Sequence, residues 1–143
     1  MSVSIVKIDM SNTSLLDRVA ADVFDGPVLK ERLEAFLADG RHVLLVAVED
    51  GQVVGQASGM EYLHPDKPSQ FFFNEVGVSP AWTSRGIGRL LSAALISEAR
   101  ARGCGSIWLA TAADNVPAHR CFEAVPDGEA PETCRIYAWE FAN

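Results

Sequence analysis

The stretch "NEVGVSPAWTSRGIGRLLSAALISEAR", Asn74 to Arg100, constrains the fold more than any other part of the chain. It reads as a strand, a turn and a helix in direct succession, with Ile87, Leu90, Leu91, Ala94 and Leu95 on one helical stripe and Arg89, Ser92 and Arg100 away from it. Glycine is a poor helix former, yet Gly86 and Gly88 stand at the helix start. A helix start leaves N–H groups unpaired and carries about half a positive charge, so it attracts anions, and glycines let a ligand approach the backbone closely. "SRGIGR" can therefore hold a phosphate or pyrophosphate on backbone donors, with Arg85 or Arg89 adding charge. The plain alternative is a glycine-rich turn that merely begins a helix. Two other phosphate loops do not match: no Gly-Lys-Ser/Thr closes the turn, and Leu91 stands where a dinucleotide fingerprint needs Gly or Ala.

The flanking segments predict the rest of the fold. "SVSIVKI" alternates as a first strand, and residues 11–38 read as two helical pieces, "SNTSLLDRVAADVF" and "VLKERLEAFLADG", separated by "DGP" at Asp25 to Pro27. The second piece puts Leu29, Leu33, Phe36 and Leu37 on one face. "HVLLVAVED" and "VVGQASGMEYL" form a hairpin around Asp50-Gly51, a strong turn signal. After the loop "HPDKPS", "QFFFNEVGV" is an aromatic and β-branched strand. The long helix ends at Gly103, "SIWLAT" is a short buried strand, and "DNVPAHRCFEAV" is a helix capped by Asp114 or Asn115 with Pro117 in its first turn. "CRIYAWEF" completes the chain as an alternating strand. This order predicts an α+β or mixed α/β sheet with helices packed on its faces. At 143 residues, one domain over 1–143 is expected.

Composition narrows the function. A formal net charge of -7 argues against nucleic acid, whose phosphates need clustered Lys and Arg, and mildly favours a cationic partner. No apolar run reaches the roughly 18–20 residues that span a bilayer. "MSVSIVKIDMSNTS" lacks the basic and apolar regions of a leader, so a cytoplasmic protein without a membrane partner is expected. Cys104, Cys121 and Cys134 show no CxxC spacing, which indicates neither a disulfide framework nor a zinc site. Cys104 and Cys134 read as buried small hydrophobes. Cys121 and His119 are two apart on a helix and point to different faces, so packing is expected there rather than a nucleophile and base. His42 and His64 are expected at the surface, and no metal role is assigned. Trp82 is placed either over a bound group or as a cap on the sheet, and Trp108 and Trp139 in the core or on a dimer face.

"VGVSPAWTSRGIGRLL", followed by "GCGSIWLATAADNVPAHRCF", resembles the coenzyme-A-binding region of the GNAT superfamily of N-acetyltransferases. The family pattern is Val-x-Pro, then Gln/Arg-x-x-Gly-x-Gly/Ala entering a helix, a strand, and Asn-x-x-Ala in the next helix. Here Val78 and Pro80, Gly86 and Gly88, and Asn115 and Ala118 match it. "EVGV", the segment from "VFDGP" to "QVVG", and "YAWEF" look more narrowly like the aminoglycoside 3-N-acetyltransferase branch. The resemblance implies a mostly antiparallel twisted sheet splayed at a bulge in its fourth strand, with helices on both faces. It also implies acetyl-coenzyme A as cosubstrate and direct transfer to a primary amine without an enzyme nucleophile. By likeness, pantetheine meets the backbone at Val76 and Val78, and the pyrophosphate rests on the turn from Thr83 through Ser84, Arg85, Gly86 and Gly88 to Arg89. Asn115, Ala118 and Phe122 complete the cofactor side. A homodimer is a family expectation.

Chemistry adds a requirement of its own, because an ammonium group cannot attack and a base must take its proton. Glu75 is the only acidic residue of the central strand, and among Phe71, Phe72, Phe73 and Val76 its pKa should rise by desolvation. The competing reading is a Glu that faces solvent or pairs with an Arg. Two positions depart from the family pattern. Thr83 replaces its opening Gln/Arg, and Phe122 replaces a Tyr that protonates the departing thiolate, leaving that step to water, to Cys121 or to no group. Asp22, Asp25, Glu31, Glu61 and Asp66 fall in segments expected to build the acceptor site, where they would hold a polycation or form a solvated acidic surface. The expected function is N-acetylation of a small cationic amine, an aminoglycoside first; a polyamine, an amino acid or a protein N-terminus is also open. The alternative is a coenzyme-A-binding sensor or regulatory module without turnover.

Overall fold

Asp50 and Gly51 both take positive φ, 51° and 73°, the turn geometry whose twist matches the strands it joins. In the computed structural model, which describes residues 2–142, this turn links β2 (His42–Glu49) to β3 (Gln52–Tyr62). β1 (Ser4–Lys7), β4 (Gln70–Val78) and β5 (Ser106–Trp108) complete a sheet ordered β1-β2-β3-β4-β5, antiparallel except where β5 lies parallel to β4. α1 (Lys30–Ala38) covers one face, and α2 (Ile87–Ala101) lies across the other with α3 (Val116–Glu123) beside it. Because both faces are covered, Val43 through Ala47 are buried in an unbroken run rather than in alternation.

α2 buries Ile87, Leu91, Leu95 and Ala99, one face at four-residue spacing. Gly55 of β3 lets it settle low, since a Cβ there would stand 3.1 Å from Leu91 Cδ1 and 3.2 Å from Ile87 Cγ2. The helix is consequently rotated from the expected stripe: Leu90 is 48% exposed, whereas Ser92 is 1% exposed, its hydroxyl donating to the Gly88 carbonyl at 2.7 Å. Gly103 stops the helix in the left-handed region, φ 81°, and the Cys104 N–H closes back to the Ala99 carbonyl at 3.2 Å.

Two expected elements are absent among the described residues. "SNTSLLDRVAADVF" forms only a 3-10 turn over Thr13–Asp17, after which Arg18 to Ala20 run extended and the chain turns again, with Asp22 at φ 62°. The Val53 N–H donates to Arg18 O and the Ala20 N–H to Val53 O, each at 2.8 Å. β4 ends at Val78 opposite Gly55, so Val53 lies beyond it with backbone groups that need partners, and Arg18 to Ala20 supply them. That pairing outweighs local helix propensity. The second absence is the strand at "CRIYAWEF": residues 126–142 form no element and every one of them is exposed. "SIWLAT" likewise contracts to three residues of strand. Among the described residues, no helix is long and apolar enough to cross a membrane.

Candidate active site

β3 and β4 lose register at one point. Ser58 faces Glu75 but Gly59 faces Phe73, which leaves Asn74 as the extra residue of a bulge. In a regular strand Phe73 and Glu75 would share a face. Here Phe73 is buried on the α2 side and meets Phe122 of α3 edge-on, ring centroids 5.8 Å apart, while Glu75 turns to the opposite face beside Ser58. Past Phe72, β4 has no strand on its β5 edge among the described residues, where Gln70 to Phe72 pair with Ser106 to Trp108. The bulge thus sits where the two parallel strands part.

Glu75 opens into a cleft of about 300 Å³ whose walls include Phe24, Leu33, Phe36 and Leu44, with Asp25, Arg32 and Ser58 as polar lining. Glu75 is exposed at the mouth of the cleft, and its carboxyl pKa is raised, first by partial desolvation and then by the negative charge of Asp25. The direction agrees with the expectation, but the surroundings differ. Phe71 and Phe73 face the other side of the sheet, and the desolvating wall comes from the segment before α1 and from α1 itself. Of the five acidic residues expected around the acceptor, only Asp25 lines this cleft. Glu61 is instead engaged by Arg102 at 3.4 Å and by the Ser69 hydroxyl at 2.5 Å. Ser58, Phe24 and Arg32 carry no sequence signal of their own; only the Ser58–Glu75 register reveals Ser58.

On the opposite face, the turn from Ser79 to Gly86 leads into α2. Ser84 and Gly86 both adopt positive φ, 64° and 79°, which turns the backbone sharply at the helix start. The Leu90 N–H donates to Gly86 O at 3.0 Å and closes the first turn, so the N–H groups of Ile87, Gly88 and Arg89 precede the first intrahelical bond. The Arg89 guanidinium lies over the turn, 3.6 Å from where a Gly86 Cβ would be. Arg85 pairs with Glu49 at 3.7 Å, and Glu49 also accepts from Trp82 Nε1 at 2.8 Å. Trp82 therefore ties the turn to the sheet, as a cap would. The Thr83 hydroxyl donates to the carbonyl of Pro80 at 2.9 Å. Gly88 packs under α3, where an added Cβ would be 3.2 Å from Cys121 Sγ.

Asn115 caps α3 by accepting from the Ala118 N–H at 3.2 Å. His119 Nε2 contacts the carbonyl of Ala113 at 3.0 Å, so it does not serve Cys121, whose thiol is pushed up by burial. Cys104 is partly buried, but Cys134 is exposed, contrary to expectation, because its whole segment lies off the core. Trp108 and Trp139 are likewise outside the core, at 47% and 75% exposed.

A family model described as acetyltransferase (GNAT) matches residues 13–125, which include the bulge, the turn and α3. The chain belongs to this family. Among curated proteins it is similar to an L-2,4-diaminobutyric acid acetyltransferase of Virgibacillus pantothenticus, 32% identical over 78 residues, covering 54% of this chain and 48% of that protein. The matched part is about half the length of that relative. Among solved structures it is similar to an aminoglycoside acetyltransferase from an uncultured soil metagenomic sample in complex with trehalose, with TM-score 0.78 at 15% identity, covering 96% of this chain and 97% of the other. It is also similar to AAC(6')-Iy in complex with the bisubstrate analogue CoA-S-monomethyl-acetylneamine, with TM-score 0.74 at 17% identity, covering 97% and 99%. These structural likenesses establish the GNAT fold, a mixed α/β sheet that is antiparallel except at β4 and β5.

Proposed function

We propose that this GNAT chain transfers an acetyl group from acetyl-coenzyme A directly to a primary amine of a small acceptor, with Glu75 as general base. The observation that carries this reading is the bulge, which turns one carboxylate of raised pKa into a cleft on one face while the glycine turn and the open β4 edge lie toward the other. The residues fit the cosubstrate. The backbone at Val76 and Val78 is without a strand partner on the β5 side, and the first amides of α2 follow two positive-φ residues. Acetyl-coenzyme A supplies the acyl group as a thioester. Thr83, Ser84, Gly86 and Gly88 would hold its pyrophosphate through backbone, Arg89 and Arg85 would add charge, and Asn115, Ala118 and Phe122 would line the α3 side.

Glu75 takes the proton of the acceptor ammonium, directly or through water, and thereby makes the amine nucleophilic. Phe122 has no proton to give and packs against Phe73. Cys121, kept as a neutral thiol by burial, and water are the donors left for the departing thiolate. An aminoglycoside is the first acceptor class, supported by fold neighbours that act on one. Arg32 in the cleft favours a second, an amine that carries a carboxylate.

The test follows free thiol release from acetyl-coenzyme A over a panel of aminoglycosides, polyamines and amino acids. Amine-dependent release supports the reading; tight coenzyme A binding without turnover on any amine overturns it in favour of a sensor. A further expected result concerns the turn. Gly86→Ala forces a side chain into φ 79°, which costs about 1–2 kcal/mol. It should lower the melting temperature and raise the Kd for coenzyme A roughly tenfold, the equivalent of one lost hydrogen bond. Calorimetric titration and a thermal melt check both.

A further inference from the structure

We propose that Gln56 and Gly77, a cross-strand pair away from the reacting atoms, seat the carbonyl of Val23 and thereby hold the cleft wall at Phe24 and Asp25 beside Glu75. Both are positioning residues, and their role rests on Glu75 being the general base.

Alternation along β3 places Gln56 on the same face as Ser58, and the register sets Gln56 opposite Gly77 as it sets Ser58 opposite Glu75. The pair therefore lies one step along the sheet from the base. Gln56 is 2% exposed, and its Nε2 donates to Val23 O at 3.4 Å. From the facing strand, Gly77 admits the same carbonyl: a Cβ there would stand 2.5 Å from Val23 O and 3.6 Å from Gln56 Nε2. Among the described residues, no other hydrogen bond reaches the backbone of residues 23–27. Asp22, just before them, takes the left-handed φ of 62°, a conformation that surrounding contacts must hold. Val23 is the buried anchor, and Phe24 and Asp25 follow it directly into the cleft lining.

The other end of the same side chain shows that stability is not what Gln56 supplies. Its Oε1 is buried with no hydrogen-bond partner among the described residues. On the β2 side its cross-strand neighbour is Val46, which is fully buried and offers no polar side chain. A buried carbonyl without a donor opposes folding, and an apolar side chain of equal length would not carry that cost. What the amide provides is a donor to the one carbonyl from which the cleft wall hangs. Glu75 is faced by two charged groups, Asp25 from the segment before α1 and Arg32 from α1 itself. If the seat fails, the wall moves outward, water enters and Asp25 recedes, and both changes favour the ionised form of Glu75.

Gln56→Met keeps the length of the side chain and removes both polar atoms. Its melting temperature should equal or exceed that of the parent, and its Kd for coenzyme A should be unchanged, because the glycine turn lies on the opposite face. The kcat/KM for the acceptor should fall about tenfold to a hundredfold. Carbon-13 NMR of the unliganded protein, with the Glu75 signal assigned by its loss in Glu75→Gln, should show this carboxyl titrating at lower pH than in the parent. The shift should be smaller in an Asp25→Asn background, where the repulsion is already gone. Gly77→Ala disturbs the seat from the other strand and should move the titration in the same direction. A Gln56→Met protein whose Glu75 titrates as in the parent would overturn the proposal, as would a loss of activity no larger than its loss of folded protein. The titration needs no acceptor, so it decides the role of Gln56 even if no amine is acetylated. Should Gly77→Ala fail to fold, Gln56→Met decides alone.

Discussion

Glu75→Gln is expected to cut amine-dependent thiol release by about 100- to 10,000-fold while leaving the Kd for coenzyme A unchanged, because the carboxylate faces the cleft and not the glycine turn. Steady-state kinetics with calorimetric titration of coenzyme A measures both. Loss of cofactor binding in parallel would assign Glu75 to structure instead. The pH dependence gives a second readout. The base works only when ionised, and partial desolvation followed by the charge of Asp25 raises its pKa, so the acidic limb of kcat/KM should lie at higher pH than an unperturbed glutamate would give. Asp25→Asn removes the second cause and should move that limb to lower pH. Stability runs the other way. A carboxyl whose pKa is higher in the folded state than its ordinary value of 4.5 contributes stability that is full below that value and is lost as pH rises through the folded pKa. Glu75→Gln should abolish this loss, leaving the variant at least as stable as the parent near neutral pH.

Gly59→Ala should be among the most damaging small substitutions in the chain. Its Cβ would stand 2.5 Å from Cε1 of Phe71 and nearer still to the carbonyl of Phe72. Phe71 is fully buried, and the carbonyl belongs to the strand itself, so neither can give way. Overpacking of this kind costs about 3 kcal/mol, which for a domain of this size lowers the melting temperature by about 10 °C. Gly40→Ala is the control: a Cβ there meets nothing within 4 Å and should change stability by less than about 0.5 kcal/mol. Because Gly59 is the β3 residue where register changes, relaxation around it would also move Glu75. Activity should therefore fall further than the unfolded fraction accounts for. Melting curves and activity normalised to folded protein separate the two effects.

Several elements of the fold are legible in the sequence because they depend on neighbouring residues alone. The turn at Asp50-Gly51 needs only local backbone preference, and the α2 boundaries follow from Gly86 and Gly103, both at positive φ. The capping of α3 by Asn115 is equally local. Local preference misleads where partners far apart in the chain compete with it. Arg18 to Ala20 leave the helix their sequence suggests because Val53, more than thirty residues away, needs backbone partners. "CRIYAWEF" has every mark of a strand, yet a strand requires a neighbour, and among the described residues none pairs with it.

The candidate site divides along the same line. Sequence alone singled out Glu75 as the acid in an apolar strand and "SRGIGR" as a helix start able to take an anion, since both judgements rest on residue type and spacing. Only tertiary structure decided that Glu75 and Phe73 point to opposite faces, because a one-residue bulge inverts the alternation and leaves no trace in composition. It alone brought Asp25, Arg32 and Ser58 to the same cleft and left Asp22, Glu31, Glu61 and Asp66 out of its lining. Charge in a sequence is a count, whereas charge at a site depends on which side chains the sheet register and helix packing turn toward one point.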